Sequence, residues 1–214
     1  MLVFSKAKLV FLSVPKTGTT AHEAALAPLA SMVISDPPEL KHAPVFRYNR
    51  FFRPALEKFL GPEIEVLAVM REPISWLGSW YRYRRRPYMK GRTNATHDIS
   101  FEEFVLSYMK GRKPGFANVG SQAKFLEPQR NGTAVTHLFR YEDPDGLARF
   151  LSARLGRDLP GTERQNESPR MPLDLSKATE ARLRRKCGAE FDLWEGIGSD
   201  GAYRPLPAPE ATSR

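Results

Sequence analysis

The segment 9–20 constrains the fold of this chain more than any other. Residues 9–14 form an apolar run rich in strand-forming side chains, which is ended by Pro15 and Gly18 and followed by a helix-forming segment to Ala30. This pattern predicts a strand, a tight loop and a helix. An unbroken apolar run is typical of a central strand with helices on both faces. The order of elements is that of a phosphate-binding loop.

The residues of this loop suit an anionic ligand. Backbone N–H groups at a helix N-terminus point toward one spot, where the helix dipole adds partial positive charge. Gly18 lets the main chain approach an anion closely, and Lys16 adds a full charge. Three hydroxyl donors complete the loop, those of Thr17, Thr19 and Thr20. The spacing differs from a nucleoside-triphosphate P-loop, because the Lys precedes the Gly and no second Gly is present. A different anion is therefore expected, and an ordinary turn with a solvated Lys is the alternative.

A second motif follows the apolar segment 65–70, which is predicted to be another strand. Arg71 comes directly after this strand, with Pro73 and Ser79 further along a predicted helix. An Arg at the carboxyl end of a strand offers a planar fork for a phosphate, and a Pro at a helix start fixes the turn. Either residue alone is equally consistent with a surface ion pair or a helix-surface hydroxyl. Two motifs in this order, each after its own strand, favour an anion site.

Together the two motifs resemble those of sulfotransferases that use 3′-phosphoadenosine 5′-phosphosulfate. Residues 15–20, which start at Pro15, resemble the loop that binds the 5′-phosphosulfate, and Arg71 and Ser79 match the residues that bind the 3′-phosphate. The likeness is closer to the Golgi and bacterial carbohydrate type than to the cytosolic type, whose glycine-rich nucleotide loop is missing. It implies a single α/β domain with a mostly parallel central sheet flanked by helices, a P-loop NTPase-like sulfotransferase fold.

The same resemblance implies a catalytic base a few tens of residues after the loop. Some branches use a His there and others a Glu, and the segment 41–43 resembles the His-bearing form, so His42 is the expected base and Glu39 the fallback. A neutral imidazole titrates near neutrality, which suits removal of a proton from an acceptor hydroxyl. A His that only packs beside the Pro-rich turn at 36–38 is the alternative.

The implied reaction is direct sulfuryl transfer from 3′-phosphoadenosine 5′-phosphosulfate to a hydroxyl or amine. Lys16 and the loop N–H groups are expected to stabilise charge on the leaving phosphate of the product, adenosine 3′,5′-bisphosphate. No metal is required. The acceptor is not identified: carbohydrate, lipid headgroup, peptide and small alcohol are all compatible with the sequence.

Length and composition agree with one domain. The chain has 214 residues, of which 41% are hydrophobic, and we expect a sulfotransferase domain over 1–198 and a flexible Pro- and Ala-rich tail over 199–214. The net charge of +9 favours an anionic ligand. With a single Cys, the sequence predicts no intramolecular disulfide and no Cys-based zinc site. No secretory signal and no apolar run long enough to cross a bilayer are evident, so a cytoplasmic protein is expected. The oligomeric state is not predicted.

Rival interpretations remain open at this stage. The Arg-rich run 81–92 with interleaved Tyr is typical of a nucleic-acid-binding patch. Because it continues a helix that begins at the expected donor site, it is predicted either to line the rim over an anionic ligand or to be a solvated helix end. A P-loop phosphotransferase would share the fold but needs a Walker-type loop and Mg²⁺ ligands. A chain that only binds the nucleotide is a further possibility.

Four further expectations concern residues outside these motifs. His22 is predicted to lie on a helix surface, and His137 to belong to the core of a strand rather than to act as a base. Asp143 is predicted to cap a helix. Cationic residues of the loop 161–172 are expected to close over the nucleotide.

Overall fold

The computed structural model describes residues 1–159 and 171–201. A five-stranded sheet has the order β3-β1-β2-β4-β5. Its strands are β1 (Leu2–Phe4), β2 (Leu9–Leu12), β3 (Met32–Val33), β4 (Glu65–Met70) and β5 (His137–Arg140). Two expected features lie largely outside the described residues: positions 161–170 of the loop that is expected to close over the nucleotide, and positions 202–214 of the expected C-terminal tail.

The sheet is mixed, which corrects the expectation of a mostly parallel one. β2, β4 and β5 are parallel, whereas β1 runs antiparallel to both β2 and β3. The connection over residues 5–8 is too short for a crossover, and it therefore makes β1 and β2 a hairpin. This hairpin places β1 inside the sheet and leaves β3 at the edge.

Helices cover both faces of this sheet. They are α1 (Thr19–Leu26), α2 (Pro38–Lys41), α3 (Val45–Arg47), α4 (Arg53–Leu60), α5 (Pro73–Tyr83), α6 (Phe101–Tyr108), α7 (Gln122–Phe125), α8 (Pro144–Leu155), α9 (Lys177–Lys186) and α10 (Gly188–Glu195). A π-helical turn over Tyr48–Phe52 joins α3 to α4, and single 3₁₀ turns lie at Ala27–Leu29, Pro87–Met89 and Gly115–Ala117. None of the helices within the described ranges is long and apolar enough to cross a membrane.

Local capping explains where several helices begin. The Glu72 carboxylate accepts the Ser75 N–H, and Pro73 occupies the first turn of α5. The predicted cap of α8 is confirmed, because the Asp143 carboxylate accepts the Gly146 N–H at 3.1 Å. Ser100 caps α6 in the same way. These starts follow from the sequence alone.

The side chains of the central strands point alternately to the two faces of the sheet, and both sets belong to the core. In β4, Val66, Ala68 and Met70 pack on one face, whereas Leu67 and Val69 pack on the other. A separate apolar cluster joins α5, α6, α9 and α10 beside the sheet. Burial on both faces confirms the expectation from the unbroken apolar runs.

The three parallel strands have their carboxyl ends on the same side of the sheet. The loop that starts at Ser13 follows β2, Arg71 follows β4, and Tyr141 follows β5. Because parallel strands share their direction, these three segments are neighbours in space. The two motifs identified in the sequence therefore meet at the carboxyl ends of these strands.

Candidate functional site

Backbone angles and an internal hydrogen bond determine the conformation of the loop between β2 and α1. Gly18 precedes the first residue of α1 with φ 77°, and Lys16 also has a positive φ of 69°. The buried Thr17 hydroxyl donates to the Val14 carbonyl at 2.9 Å, so its proton holds the loop together and is not left for a ligand. The N–H groups of Gly18, Thr19 and Thr20 have no acceptor among the described residues. The loop thus offers unpaired backbone donors at a helix start.

Gly18 is required by its neighbours as well as by its backbone angle. A Cβ at this position would lie 3.2 Å from Cε2 of Tyr141. The Tyr141 ring in turn lies 4.4 Å from the guanidinium carbon of Arg71, and its N–H donates to the Met70 carbonyl at 2.8 Å. The ends of three strands are therefore in direct contact at this point.

Arg71 is held at this position by its backbone and its side chain. The fully buried Gln122 accepts the Arg71 N–H at 3.0 Å and donates to its carbonyl at 2.8 Å. Arg71 Nε donates to the Ser75 hydroxyl at 2.9 Å, and its Nη1 lies 3.4 Å from the Lys16 carbonyl. Ser79 lies one helical turn beyond Ser75 and is buried, and its hydroxyl has no hydrogen-bond partner in the described ranges. The structure thus brings Lys16 and Arg71 together and places Ser79 on the adjoining helix face.

The Lys16 ammonium lies in a crowded, cationic environment. Its Nζ is 4.1 Å from the centroid of the Tyr83 ring and 5.6 Å from that of Trp80. Burial lowers the pKa of Lys16 to about 8. Three neighbouring guanidinium groups lower it further, those of Arg86, Arg71 and Arg82.

Lys16, Arg71, Arg82 and Arg86 define a cation cluster that contacts no acid in the part of the chain that the structure describes. Within residues 1–159 and 171–201, no carboxylate lies within ion-pair distance of any member. Burial also lowers the pKa of Arg71, an effect that Glu142 and Glu72 oppose from beyond ion-pair contact. Partly buried cations without an acid partner repel one another. A polyanionic ligand would relieve that repulsion.

The Arg-rich run is divided between two roles. Arg84 is buried and donates to the carbonyls of Gly115 at 2.6 Å and Asn118 at 3.2 Å. Arg85 donates to the Tyr81 hydroxyl at 3.0 Å and to the Thr96 carbonyl at 2.9 Å. Arg84 and Arg85 therefore hold the structure together, whereas Arg82 and Arg86 belong to the cation cluster.

The imidazole ring of His42 is oriented by one hydrogen bond. Its Nδ1 lies 2.7 Å from the Ser13 carbonyl, which only accepts, so Nδ1 carries a proton, and in the neutral ring Nε2 is the acceptor. Burial lowers the pKa of His42, although the Ser13 hydrogen bond opposes this effect. Glu39 is exposed, and its backbone carbonyl accepts from Arg47. Of the two candidate bases, His42 has the more defined surroundings.

A cleft of about 580 Å³ opens beside the loop. Trp76 fixes its wall by donating from Nε1 to the Pro15 carbonyl at 2.9 Å. The lining comprises Val14, Pro15, His42, Pro44, Phe46, Trp76, Gly111, Lys113, Asn118, Val119, Gly120, Ser121, Lys124 and Phe125. This volume lies within the range of pockets that bind small molecules.

The other two histidines considered from the sequence lie apart from this cleft. His22, which was expected on a helix surface, is buried against Phe11 with ring centroids 5.5 Å apart. It faces the sheet because α1 begins at Thr19, and burial lowers its pKa to about 4. His137 is half-buried at the opposite end of the sheet, with Nε2 2.7 Å from Glu65 Oε2.

Sequence reasoning missed several contributors to the site. Tyr141 follows β5 as Arg71 follows β4, and this shared position at strand ends is a signal from which its place was predictable. The nitrogen of Trp76 and the amide of Gln122 carried no such signal, because their partners are 61 and 51 residues away in the chain.

Comparisons with known proteins add no assignment. No protein-family model matches the chain, and searches of curated proteins and of solved structures find no significant match.

Proposed function

We propose that this protein is a sulfotransferase that transfers a sulfuryl group from 3′-phosphoadenosine 5′-phosphosulfate to a hydroxyl or amine. The observation that carries the proposal is a cation cluster that has no acid partner among the described residues, next to the N–H groups of residues 18–20, which have no acceptor among them either. A donor with a phosphosulfate and a separate phosphate has the negative charge that such a cluster lacks. The P-loop-like fold that the sequence resembles remains part of this proposal.

Different residues would bind the two anionic groups of the donor. Lys16 and the N–H groups of Gly18, Thr19 and Thr20 would bind the 5′-phosphosulfate. Arg71 and Ser79 would bind the 3′-phosphate, with the Gln122 hydrogen bonds and the Tyr141 ring keeping Arg71 in place. When bound, the donor supplies an activated sulfuryl group whose phosphate is the leaving group. Lys16 would stabilise the charge that develops on the bridging oxygen.

His42 would act as the general base. Its Nδ1–H bond to the Ser13 carbonyl orients the ring and leaves Nε2 to take the acceptor's proton. As that proton moves to Nε2, the acceptor oxygen or nitrogen bonds to sulfur and the bond from sulfur to the phosphate oxygen breaks. The lowered pKa keeps His42 in the neutral form that this step needs at neutral pH. Positioning and electrostatics would supply most of the rate, as in phosphoryl transfer.

Two of the three rival functions have less support. Of the arginines in the run 81–92, Arg84 and Arg85 are bonded to the protein, so only part of the charge of the run is available to a nucleic acid. A P-loop phosphotransferase would need a second glycine before the lysine, which the loop does not have.

Calorimetric titration with adenosine 3′,5′-bisphosphate tests the proposal without knowledge of the acceptor. We expect a micromolar or tighter Kd for the wild type, much weaker binding of ATP with Mg²⁺, and at least about tenfold weaker bisphosphate binding in Lys16→Ala and in Arg71→Ala. The matched control is Lys58→Ala, which removes one exposed charge from α4 and is expected to bind like the wild type.

His42→Ala separates the base from the donor site. Because His42 is assigned to the acceptor's proton, its removal is expected to leave bisphosphate affinity within about twofold of wild type while lowering transfer to a working acceptor by about 100-fold or more. A wild type that does not bind the bisphosphate, or binding that is indifferent to both Lys16→Ala and Arg71→Ala, would overturn the sulfotransferase proposal.

A further inference from the structure

The cleft beside the loop is basic at a place that the donor does not use. Besides His42, its ionisable side chains are Lys113 and Lys124, and none of the described residues that line it is an Asp or a Glu. Both lysines come from the segment between α6 and the end of α7, away from the cation cluster of the loop. The cleft therefore has its own positive charge.

Lys113 is held within the wall of the cleft. Its Nζ lies 3.9 Å from the centroid of the Tyr108 ring, and the side chain is half-buried. Burial lowers the pKa of Lys113, and the charge of Lys124 lowers it further. In the part of the chain that the structure describes, neither lysine is within ion-pair distance of a carboxylate.

The acid nearest to this pair does not neutralise it. Glu190 is buried, and its Oε2 accepts the Ala123 N–H at 3.2 Å at the start of α7. Burial raises the pKa of Glu190, which favours its uncharged form, although Lys113 opposes this shift. Glu190 thus serves the structure of α7 more than the charge balance of the cleft.

Another part of the wall is aromatic. Trp76 and Phe125 are largely buried, whereas Phe46 is 47% exposed at the cleft. An exposed aromatic ring beside a cleft offers a stacking or packing surface for another ring. The lining therefore combines a ring-binding surface, a neutral imidazole and two cations.

We propose that the cleft is the acceptor site and selects a hydroxylated ring that bears an anionic group, such as a carboxylate or sulfate. The hydroxyl would approach His42, the ring would pack on the exposed Phe46, and the anion would pair with Lys113 and Lys124. This inference rests on the proposed function, because it assigns the acceptor of that same reaction. The ring comes from either a phenol or a sugar, which share this chemistry.

Matched pairs of probes test the inference by direct binding. The pairs are 4-hydroxybenzoate with 4-hydroxybenzyl alcohol, and phenyl β-D-glucuronide with phenyl β-D-glucoside, so that each pair differs in charge and the two pairs separate a phenol from a sugar. Each probe is titrated by calorimetry with and without saturating adenosine 3′,5′-bisphosphate. We expect the anionic member of at least one pair to bind about tenfold or more tightly than its neutral partner.

Variants locate the preference within the cleft. The double variant Lys113→Met with Lys124→Met keeps the length of both side chains and is expected to reduce the preference to less than about threefold, with the neutral probe unchanged. Lys110→Met is the matched control, because Lys110 is an exposed lysine of the same segment that does not line the cleft, and it is expected to retain the preference. Thermal unfolding of each variant checks that the fold is kept.

The outcomes distinguish this inference from the proposed function. Equal affinity within both pairs, no binding of any probe, or a preference that survives the double variant overturns the anionic acceptor. If the bisphosphate does not bind, the proposed function fails, and the titrations without bisphosphate still report whether the cleft selects anionic rings.

Discussion

The charged residues at the two ends of β4 differ in whether they are paired. At its first residue, the Glu65 carboxylate lies 2.7 Å from His137 Nε2 and 2.7 Å from Arg154 Nη2. After its last residue, Arg71 joins Lys16 in a cation cluster that has no carboxylate within ion-pair distance among the described residues. The charge at the start of β4 is paired, whereas the charges at its end have no acidic partner among the described residues.

This difference indicates which charges serve the fold and which are available to a ligand. The pairing around Glu65 brings β4, β5 and α8 together, so its benefit is structural. At the other end, Arg71 is positioned by hydrogen bonds to an amide, a hydroxyl and a carbonyl, which hold it without neutralising its charge. Positioning without neutralisation is the arrangement that an anion-binding site requires.

The largest expected effect comes from Gly18→Ala. The new Cβ would be strained at φ 77° and would press on Tyr141, and through it on Arg71. We expect bisphosphate binding to weaken about 100-fold and unfolding free energy to fall by about 1–2 kcal/mol, as measured by calorimetry and denaturant titration. Gly132→Ala is the control, since φ is also positive at 85° but, apart from its chain neighbours, no described residue has an atom within 4 Å of the new Cβ. A similar loss of affinity in both variants would mean that strain alone, not the contact with Tyr141, is responsible.

Two neighbouring arginines sharpen the division between structural and available charge. Arg84→Ala removes donors from two backbone carbonyls and is expected to lower unfolding free energy by about 2–3 kcal/mol. Arg86→Ala is expected to weaken bisphosphate binding about fivefold with less than about 0.5 kcal/mol change in stability, because Arg86 acts on Lys16 through charge. A loss of stability in Arg86→Ala together with a loss of bisphosphate affinity in Arg84→Ala would show that the structural and ligand-binding roles of these two arginines are reversed.

The pKa of Lys16 predicts a pH dependence of binding. In the free protein this pKa is lowered to about 8, and a bound anion would raise it, so the complex holds a proton that the free protein loses as pH rises. We expect the bisphosphate Kd to be nearly constant up to about pH 7.5 and to rise by up to about tenfold per pH unit above pH 8. Lys16→Met should bind more weakly and lack this dependence. A wild-type Kd that is flat from pH 7.5 to 9.5 would exclude Lys16 as the group coupled to binding.

The smallest expected effect lies at the start of β4, where the charge is paired. Burial acts to raise the pKa of Glu65, but the His137 hydrogen bond and the Arg154 charge outweigh it, so the folded-state pKa is lowered. Its stabilisation is therefore present above the unfolded-state pKa and is lost as pH falls through the folded-state value.

We expect Glu65→Gln to lower unfolding free energy at pH 7 by no more than about 1 kcal/mol, since the carboxylate is partly exposed, and to flatten the acid limb of the stability profile. Bisphosphate affinity should not change. Glu63→Gln is the control, because its carboxylate is 85% exposed and lies 3.6 Å from Lys8. An equal change in unfolding free energy in both variants would show that the Glu65 ion pairs stabilise the fold no more than the solvent-exposed pair of Glu63.

Much of the local structure was predictable from patterns within a few residues. The strand before Pro15, the loop around Gly18 and the caps at Glu72 and Asp143 depend on side chains that act on their own backbone. The direction of β1 was also accessible in principle, because a short connection over residues 5–8 permits only a hairpin. The expectation of a mostly parallel sheet gave too little weight to that length.

The sequence by itself determined the loop after β2, the helix start that follows Arg71, and the two strands that precede these segments. Only the tertiary structure decided that Tyr141 packs against Gly18 and Arg71, that Gln122 holds the Arg71 backbone, and that the Arg-rich run divides into bonded and available members. The physical reason is the range of the interactions. Local elements form where neighbouring residues satisfy one another, whereas the balance of charge at this site depends on groups that meet only when distant segments pack together.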